Sequence, residues 1–410
     1  MPPTLPTSFY NMPLSGLNKL LICLLLCTAW GCRPTETNHS NPTNSLHLTP
    51  VGEVVLQIPA DVRLQIVNSF SGFEAGGKPL LSLWEISKQH LLFDLETGAL
   101  LQKKQFSGEG PNAIKTGRAF TENVHRQTRV EDFWLLLSSR SMLYQIDSSG
   151  QVLQQLDLQS TVETSQMPVT IAVNRFYPGP DGQMIFPLQI FPRSSAQDFS
   201  TLPAAWAVSL PEKEAQKHGA FPAGLQEDYW GFVDQLYQSQ VFFDAQDRRL
   251  LIGFAADPQV QSFLWQNGQW TRETSANIPS SRFDPPEPFS KDRSLYEAQD
   301  HAFQAEELYF QTSSLFGHFI QLQVGTETHY GRCNIIKPNT ESLKSNPKAA
   351  PRTSITLFDD QLQVLGEFDL PAGVNGYQVF GMGKYLYAPA SGQDSDENWK
   401  VVRFKVQKEG

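Results

Sequence analysis

The candidates for chemistry in this sequence are few, and each has an ordinary alternative. Asp394-Ser395-Asp396-Glu397-Asn398 has the Asp-x-Asp-x-Asn opening of a calcium loop. Such a loop turns on a glycine at its sixth position and closes with a bidentate glutamate at its twelfth. Trp399 and Lys405 stand there instead, so the stretch reads as a solvated turn and no metal is expected. The eight histidines are scattered, with no His-Glu-x-x-His pair and no zinc-spaced cysteine and histidine cluster. They read as single core or surface residues. There is no Gly-x-Ser-x-Gly elbow to expose a nucleophilic serine and no glycine loop to cradle phosphates. No cofactor and no catalytic residue are expected.

Two clusters remain as candidates for ligand binding. In Asp228-Tyr229-Trp230, with Phe232 and Tyr237 nearby, the rings of Tyr229 and Trp230 could stack on a sugar or hold a peptide. The same aromatics could equally plug a gap between two structural repeats. In His329-Tyr330-Gly331-Arg332, alternate residues fall on alternate faces of a strand. His329 and Arg332 are the candidates there. Arg332 could reach an anionic ligand, or pair with a structural carboxylate, which is the reading the residues favour.

The elements that must position these residues are strands. Only 18% of the residues are charged, and Gly and Pro number 28 each, which suits many short strands joined by tight turns. The formal charge of −10, without a basic cluster, argues against a nucleic-acid partner. A hairpin with an aspartate at the end of its first strand recurs as His90 to Leu101, Met142 to Leu153 and Ile355 to Leu365. Each aspartate can turn its carboxylate onto nearby backbone N–H groups and so favour a turn. Asp94 and Asp147 lie 53 residues apart, close to the length of one four-stranded propeller blade. Weaker hairpins run Trp206 to Phe221 and Phe263 to Trp270, the second around Asn267-Gly268.

Taking these as outer strand pairs predicts an all-β, six-bladed propeller. Its blades fall at 64–106, 116–157, 168–221, 238–275 and 316–369, with Gly108-Glu109-Gly110-Pro111-Asn112 linking the first two. A sixth blade takes Tyr377–Phe380, Lys384–Tyr387 and Lys400–Val406, and Glu53–Ile58 supplies its missing outer strand. Closing the ring with strands from both ends leaves no open sheet edge. Residues 291–311 break the pattern. Leu295, Ala298, Ala302 and Ala305 have helical spacing, which predicts a helix inserted before blade five, either a cover or a lid.

The beginning of the chain reads as an export signal over 1–32. Lys19 is its positive end, Leu20 to Cys27 its apolar run, and Thr28-Ala29-Trp30-Gly31 the small-residue region. The run is too short to span a bilayer. Met12 would give a more ordinary start than Met1. Ala29-Trp30-Gly31-Cys32 resembles a bacterial lipobox, whose cysteine is lipidated, although Ala29 replaces the usual leucine and Trp30 is bulky. Loss of the signal leaves Cys32 and Cys333, so no disulfide is expected once Cys32 carries lipid. Residues 33–50, rich in Thr, Asn, Pro and Ser, read as a flexible tether, and 51–410 as the propeller domain.

With Cys32, the Gly108 to Asn112 link, the Phe316 to Arg332 hairpin and Ser354 to Glu367, the chain resembles a known group. These are the six-bladed propeller lipoproteins of unknown function from Bacteroidetes-type bacteria, within the TolB-like and NHL-like propeller superfamily. In that family the hairpin's second strand tends to read Tyr-Tyr-Arg, and Gly331 replaces the middle tyrosine here. The resemblance implies a bacterial envelope protein, lipid-anchored at the outer membrane, and adds little about chemistry. The expected function is a monomeric binding or scaffolding module for an envelope protein, peptide or glycan. The alternative is an envelope lyase or glycosidase using paired carboxylates in the central channel, since propellers serve both ends.

Overall fold

The hairpins of this chain are pinned by their own turns. Asp94 Oδ1 accepts the backbone N–H groups of Glu96 and Thr97 at 2.8 and 3.0 Å. Asp147 Oδ1 accepts those of Ser149 and Gln151, both at 2.8 Å, and Asp359 Oδ1 those of Gln361 and Gln363 at 3.0 and 2.7 Å. Asp244 repeats the device on Gln246 at 2.9 Å, in a hairpin the sequence did not single out. Asn267 and Gly268 both take positive φ, 52° and 78°, as a two-residue hairpin turn of the kind that matches strand twist demands.

The structure is a computed structural model. It describes residues 46–62, 67–85, 88–107, 114, 123–137, 142–158, 169–171, 175–190, 202–227, 236, 238–288, 308–309, 311–346, 349–391 and 399–408. The signal, most of the tether, the Gly108 to Asn112 link and the Asp394 to Asn398 turn lie outside these residues.

The chain enters as β1 (Leu46–Leu56) and then lays down its blades in order. Blade 1 is β2 (Val67–Ala75), β3 (Lys78–Glu85), β4 (Gln89–Asp94) and β5 (Leu100–Gln105). Blade 2 is β6 (Asn123–Arg126), β7 (Asp132–Leu137), β8 (Met142–Asp147) and β9 (Val152–Asp157). Blade 3 has β10 (Val169–Ile171), β11 (Tyr177–Pro178), β12 (Gln183–Ile190), β13 (Ala205–Ser209) and β14 (Ala215–His218). Blade 4 is β15 (Ser239–Asp244), β16 (Arg249–Phe254), β17 (Asp257–Gln266) and β18 (Gln269–Asn277). Blade 5 is β19 (Leu315–Val324), β20 (Glu327–Ile336), β21 (Arg352–Phe358) and β22 (Val364–Asp369). Blade 6 is β23 (Phe380–Met382), β24 (Tyr385–Pro389) and β25 (Trp399–Lys408), completed on the outside by β1. All six sheets are antiparallel, and together they make the six-bladed propeller that the hairpin spacing predicts.

Burial explains the sequence of each layer. Middle strands are covered on both faces by neighbouring blades, so β4, β7 and β16 are buried at every position and read as near-continuous apolar runs. Each fully buried leucine among them, Leu81 or Leu91 for example, contributes roughly 2 kcal/mol by burial. Outer strands touch solvent, and β9 and β18 carry the exposed alternation. At the hub, successive innermost strands pack side by side, β15 on β19, β19 on β23 and β23 on β2. That approach leaves no room for side chains at two points. A Cβ on Gly381 would lie 1.9 Å from the Gln321 carbonyl oxygen, and one on Gly72 would lie 2.2 Å from the Phe380 ring.

Several boundaries move. The closing strand pairs as expected, with Glu53 opposite Val402 and Leu56 opposite Trp399, but it starts at Leu46, opposite Lys408. Residues 46–50 are therefore part of the propeller and not of the tether, and Ile58 lies beyond the strand. Apolar Leu46 and Leu48 explain the extension, because both pack into the seam between blades 5 and 6. Tyr377 belongs to a single 3-10 turn, held by Asn375 Oδ1 accepting the Tyr377 N–H at 3.1 Å, so the innermost strand of blade 6 begins at Phe380. Of the helix expected over 291–311, only Leu308, Tyr309 and Gln311 are described, and all three are helical. Two short helices, α1 (Ala223–Glu227) and α2 (Thr340–Ser345), also occur.

Ring closure can be tested by truncation. A chain starting at Asn44 retains β1 and is expected to melt in the same cooperative transition as the longer protein. One starting at Arg63 leaves the outer edge of β25 unpaired and exposes Val401 and Phe404, so it is expected to aggregate or melt without a sharp transition by circular dichroism. Identical melting of the two would show that β1 does not close the ring.

Candidate functional site

Of the four sequence candidates, His329 and Arg332 fall within the described residues, both on β20. Tyr229 and Trp230 lie outside the described residues. His329 is buried on β20, with Nε2 3.6 Å from Glu327 Oε2. Arg332 is 0% exposed and spends its charge on backbone carbonyls of blade 4. It donates from Nη1 to Pro258 at 3.0 Å and from Nη2 to Phe254 and Asp257, the last at 3.1 Å. Its guanidinium also stacks 4.1 Å from the Phe316 ring centre. Burial pulls its pKa down to about 9, and the Asp257 carboxylate nearby opposes the shift. Among the described residues the hydrogen-bond partners of Arg332 are carbonyls and no carboxylate lies within ion-pair distance, so it staples blade 5 to blade 4. The neighbouring Gly331 is equally constrained, since a Cβ there would come within 2.8 Å of Ile320 and 3.0 Å of Ile355.

Comparable polar staples lie in other seams. Glu367 of blade 5 accepts Ser280 Oγ at 2.6 Å and the backbone N–H of Ser281 at 2.7 Å, tying down the segment that leaves blade 4. Desolvation raises its pKa, but the bonds from Ser280, Ser281 and Ser354 outweigh that and hold the carboxyl below its ordinary range. Between blades 1 and 2, Ser82 Oγ lies 2.8 Å from His90 Nε2 and 2.7 Å from His125 Nε2. A serine between two histidines has the makings of an activated nucleophile. Ser82, His90 and His125 are however 0 to 2% exposed, and His90 lies stacked on Phe133 at 4.2 Å. The group fastens two blades from inside, and of its members His125 also lines the hub cavity described next.

The site that the fold does build is a cavity of about 330 Å³ at the hub. That is the low end of the range for small-molecule pockets. Every blade contributes to it. Phe70 comes from blade 1, Val124 and Arg126 from blade 2, and Gln240 and Val241 from blade 4. His318 comes from blade 5 and Tyr377 from the turn before blade 6. Blade 3 contributes through an irregularity. Its innermost position is shared by two short strands, β10 and β11, that pair with separate parts of β12. Arg175 and Phe176 stand in the break between them and line the cavity. An interruption of this kind re-aims side chains that a regular ladder would commit to the sheet.

The electrostatics of the cavity are one-sided. Arg126 and Arg175 line it, and none of the described residues lining it is an aspartate or glutamate. The Arg126 guanidinium lies 4.4 Å over the Tyr177 ring, and its Nε is shut off from solvent without a hydrogen-bond partner. Burial pulls the Arg126 pKa below the ordinary arginine value; the nearby Tyr177 opposes this, and the like charge of Arg175 adds to it. Arg175 makes one long bond, Nη2 to the Val379 carbonyl at 3.4 Å. His318 Nε2 is 2.8 Å from the same carbonyl oxygen, which can only accept, so Nε2 carries the proton and Nδ1 is an acceptor. Burial first, and then the charge of Arg175, hold His318 well below the usual histidine pKa and keep it neutral. Gln240 donates to the Phe316 carbonyl at 2.8 Å and leaves Oε1 buried and unpartnered.

No family model and no curated protein matches the chain. Among solved structures, a member of the DUF4221 family from Bacteroides vulgatus superposes with a TM-score of 0.68. It is 14% identical, and the match covers 89% of this chain and 99% of that one. The two share a fold. An exported-protein candidate from Bacteroides fragilis matches at 11% identity over 89% of this chain and 96% of that one, with a TM-score of 0.46. Likeness at such identities speaks for architecture alone.

Buried neutral histidines make the ring acid-labile in a defined window. Burial lowers His90 to about 4, His218 likewise to about 4, and His125 and His318 well below the ordinary 6.5. The unfolded chain takes up those protons below pH 6.5 and the folded chain does not, so stability is full above 6.5 and falls as pH drops toward 4. The expected result is a denaturant midpoint that declines across that window. In His90→Gln the slope becomes shallower by up to ~1.4 kcal/mol per pH unit, the weight of one proton. A midpoint flat from pH 7 to 4 would contradict burial of these rings.

Proposed function

We propose that this protein is a lipid-anchored propeller of a bacterial envelope that binds a small molecule in its hub and carries out no covalent chemistry on it. The observation that carries this reading is the cavity itself, to which all six blades supply residues and in which Arg126, Arg175, His318 and Gln240 converge. The alternative of a carboxylate-based lyase or glycosidase needs two acids facing the substrate. The described residues lining the cavity offer none. Scaffolding is the weaker alternative, because a scaffold has no use for a cavity of about 330 Å³ lined by two arginines at its hub.

Two experiments address the two halves of the proposal. Anchoring rests on the signal and lipobox-like residues ending at Cys32. In Cys32→Ser the protein is expected to move from the membrane to the soluble periplasmic fraction, or to keep its signal. A Cys32→Ser protein that is processed normally, lacks lipid and still sediments with membranes would refute anchoring through Cys32. Binding is tested by native mass spectrometry with a library of neutral, cationic and anionic molecules below about fifteen heavy atoms, followed by crystal soaks of the hits. At least one is expected to sit in the hub. If no compound binds, or all hits sit on the outer surface, the binding reading fails.

A further inference from the structure

We propose that the ligand of the hub is a small organic acid, its carboxylate received between Arg126 and Arg175 and its body packed on the apolar side of the cavity. This rests on the reading of the hub as a binding site. Two guanidiniums line a single cavity that no aspartate or glutamate among the described residues enters. Neither has a carboxylate within ion-pair distance among the described residues. Arginine does not shed its proton to escape burial, so the positive charge stays. Both side chains are half-buried, so water screens them only in part, and two like charges facing one cavity add to the cost of leaving them without a counter-charge. Elsewhere the same chain does compensate its buried arginines. Arg249 has Glu273 Oε2 at 2.8 Å, and Arg332 has three carbonyls. The hub pair has one long carbonyl contact, from Arg175, and no carboxylate among the described residues, and a bound anion is what would complete it.

The rest of the lining says what kind of anion. Phe70, Val124, Phe176, Val241, Leu315 and Ile335 give the cavity an apolar side. A bare phosphate or sulfate would leave that side unused. The volume of about 330 Å³ is at the small end of ligand pockets, which suits a compact molecule. A carboxylate on a ring or a short chain is that size. Gln240 Oε1 and His318 Nδ1 are acceptors, so a hydroxyl or N–H on the ligand body would be satisfied there, and either would repel a second carboxylate. A monoacid fits better than a diacid.

The test uses the mature protein and a panel of hexanoate, benzoate, phenylacetate and mandelate, each beside its primary amide, together with inorganic phosphate. Binding is read by calorimetry and by crystal soaks. At least one carboxylate is expected in the hub, with its amide and phosphate at least tenfold weaker. Arg175→Met and Arg126→Met are each expected to weaken that carboxylate about ten- to hundredfold, the scale of one charge-assisted hydrogen bond. Without ligand, Arg175→Met is expected to melt at or above the temperature of the parent protein, because it removes a repulsion. A residue kept for structure would lower it. Equal binding of acid and amide overturns the proposal, as does phosphate binding as well as the best acid, or an Arg175→Met protein that melts lower and binds normally. A neutral library compound in the hub with no acid bound would leave the binding reading standing and sink this one. An empty hub against every probe would sink both.

Discussion

The pairing of β1 with β25 is the contact on which the rest of the molecule depends. Ten residue pairs join the two ends of the propeller, from Leu46 opposite Lys408 to Leu56 opposite Trp399. Loop-closure entropy grows only with the logarithm of the loop, so joining residues some 350 apart costs a few kcal/mol more than closing a hairpin. Ten ladder pairs and the burial of Val54, Leu56, Val401 and Phe404 exceed that. The same strand must also serve as the outer edge of blade 6 without recruiting further strands. Pro50 lacks an N–H, the register slips between Pro50 and Gly52, and Glu53 faces solvent. Each of these blunts an edge. The Lys400 to Glu53 ion pair at 3.1 Å is exposed on both sides and adds little.

A closed ring forces six innermost strands together at one axis, and that crowding sets what the hub can be. Where strands pass at backbone distance, as at Gly381 against Gln321, there is no space for a site. Where blade 3 interrupts its innermost strand, there is. The cavity is thus a local failure of packing that the surrounding seams can tolerate, because Arg332 and Glu367 hold the blades by bonds that do not involve the hub. Uncompensated charge at Arg126 and Arg175 is affordable only in such a frame, since strain at a binding site persists where its surroundings over-determine the structure.

Much of the frame was legible in the residues. Asp94, Asp147 and Asp359 announce their turns by type and position, and Asn267-Gly268 announces its own, because these are local interactions encoded within four residues. Apolar runs such as Phe133 to Leu137 mark strands buried on both faces. The hub was not legible, for a geometric reason. Arg126, Arg175 and His318 meet from three blades, and nothing in the spacing of residues 126, 175 and 318 tells that they face one axis. The signal that existed was the charge itself. Arg126 follows Val124 on a short strand that the outer-pair assignment makes innermost, where a lone cation is out of character. Arg332 was visible as a charge in an apolar strand, but its partners are carbonyls of another blade, and carbonyls leave no mark in a sequence.

The contrast between hub and surface gives the site its physical character. The chain carries a net charge of −10, yet its central cavity is lined by arginine with no acid among the described residues. On the proposal that the hub takes a small anion, the negative exterior would slow its approach and the hub would hold it once there. Salt acts on these two effects in opposite senses. It screens the exterior, whose charges face water, far more than the guanidiniums inside the ring, because screening requires mobile ions and the hub has little room for them. Association therefore quickens with ionic strength over the range where dissociation changes least, the reverse of what a basic surface patch would do. A ligand selected in this way is recognised for its charge only after it has entered, so shape and the apolar lining, Phe70 and Phe176 foremost, discriminate among anions and the arginines discriminate anions from everything else.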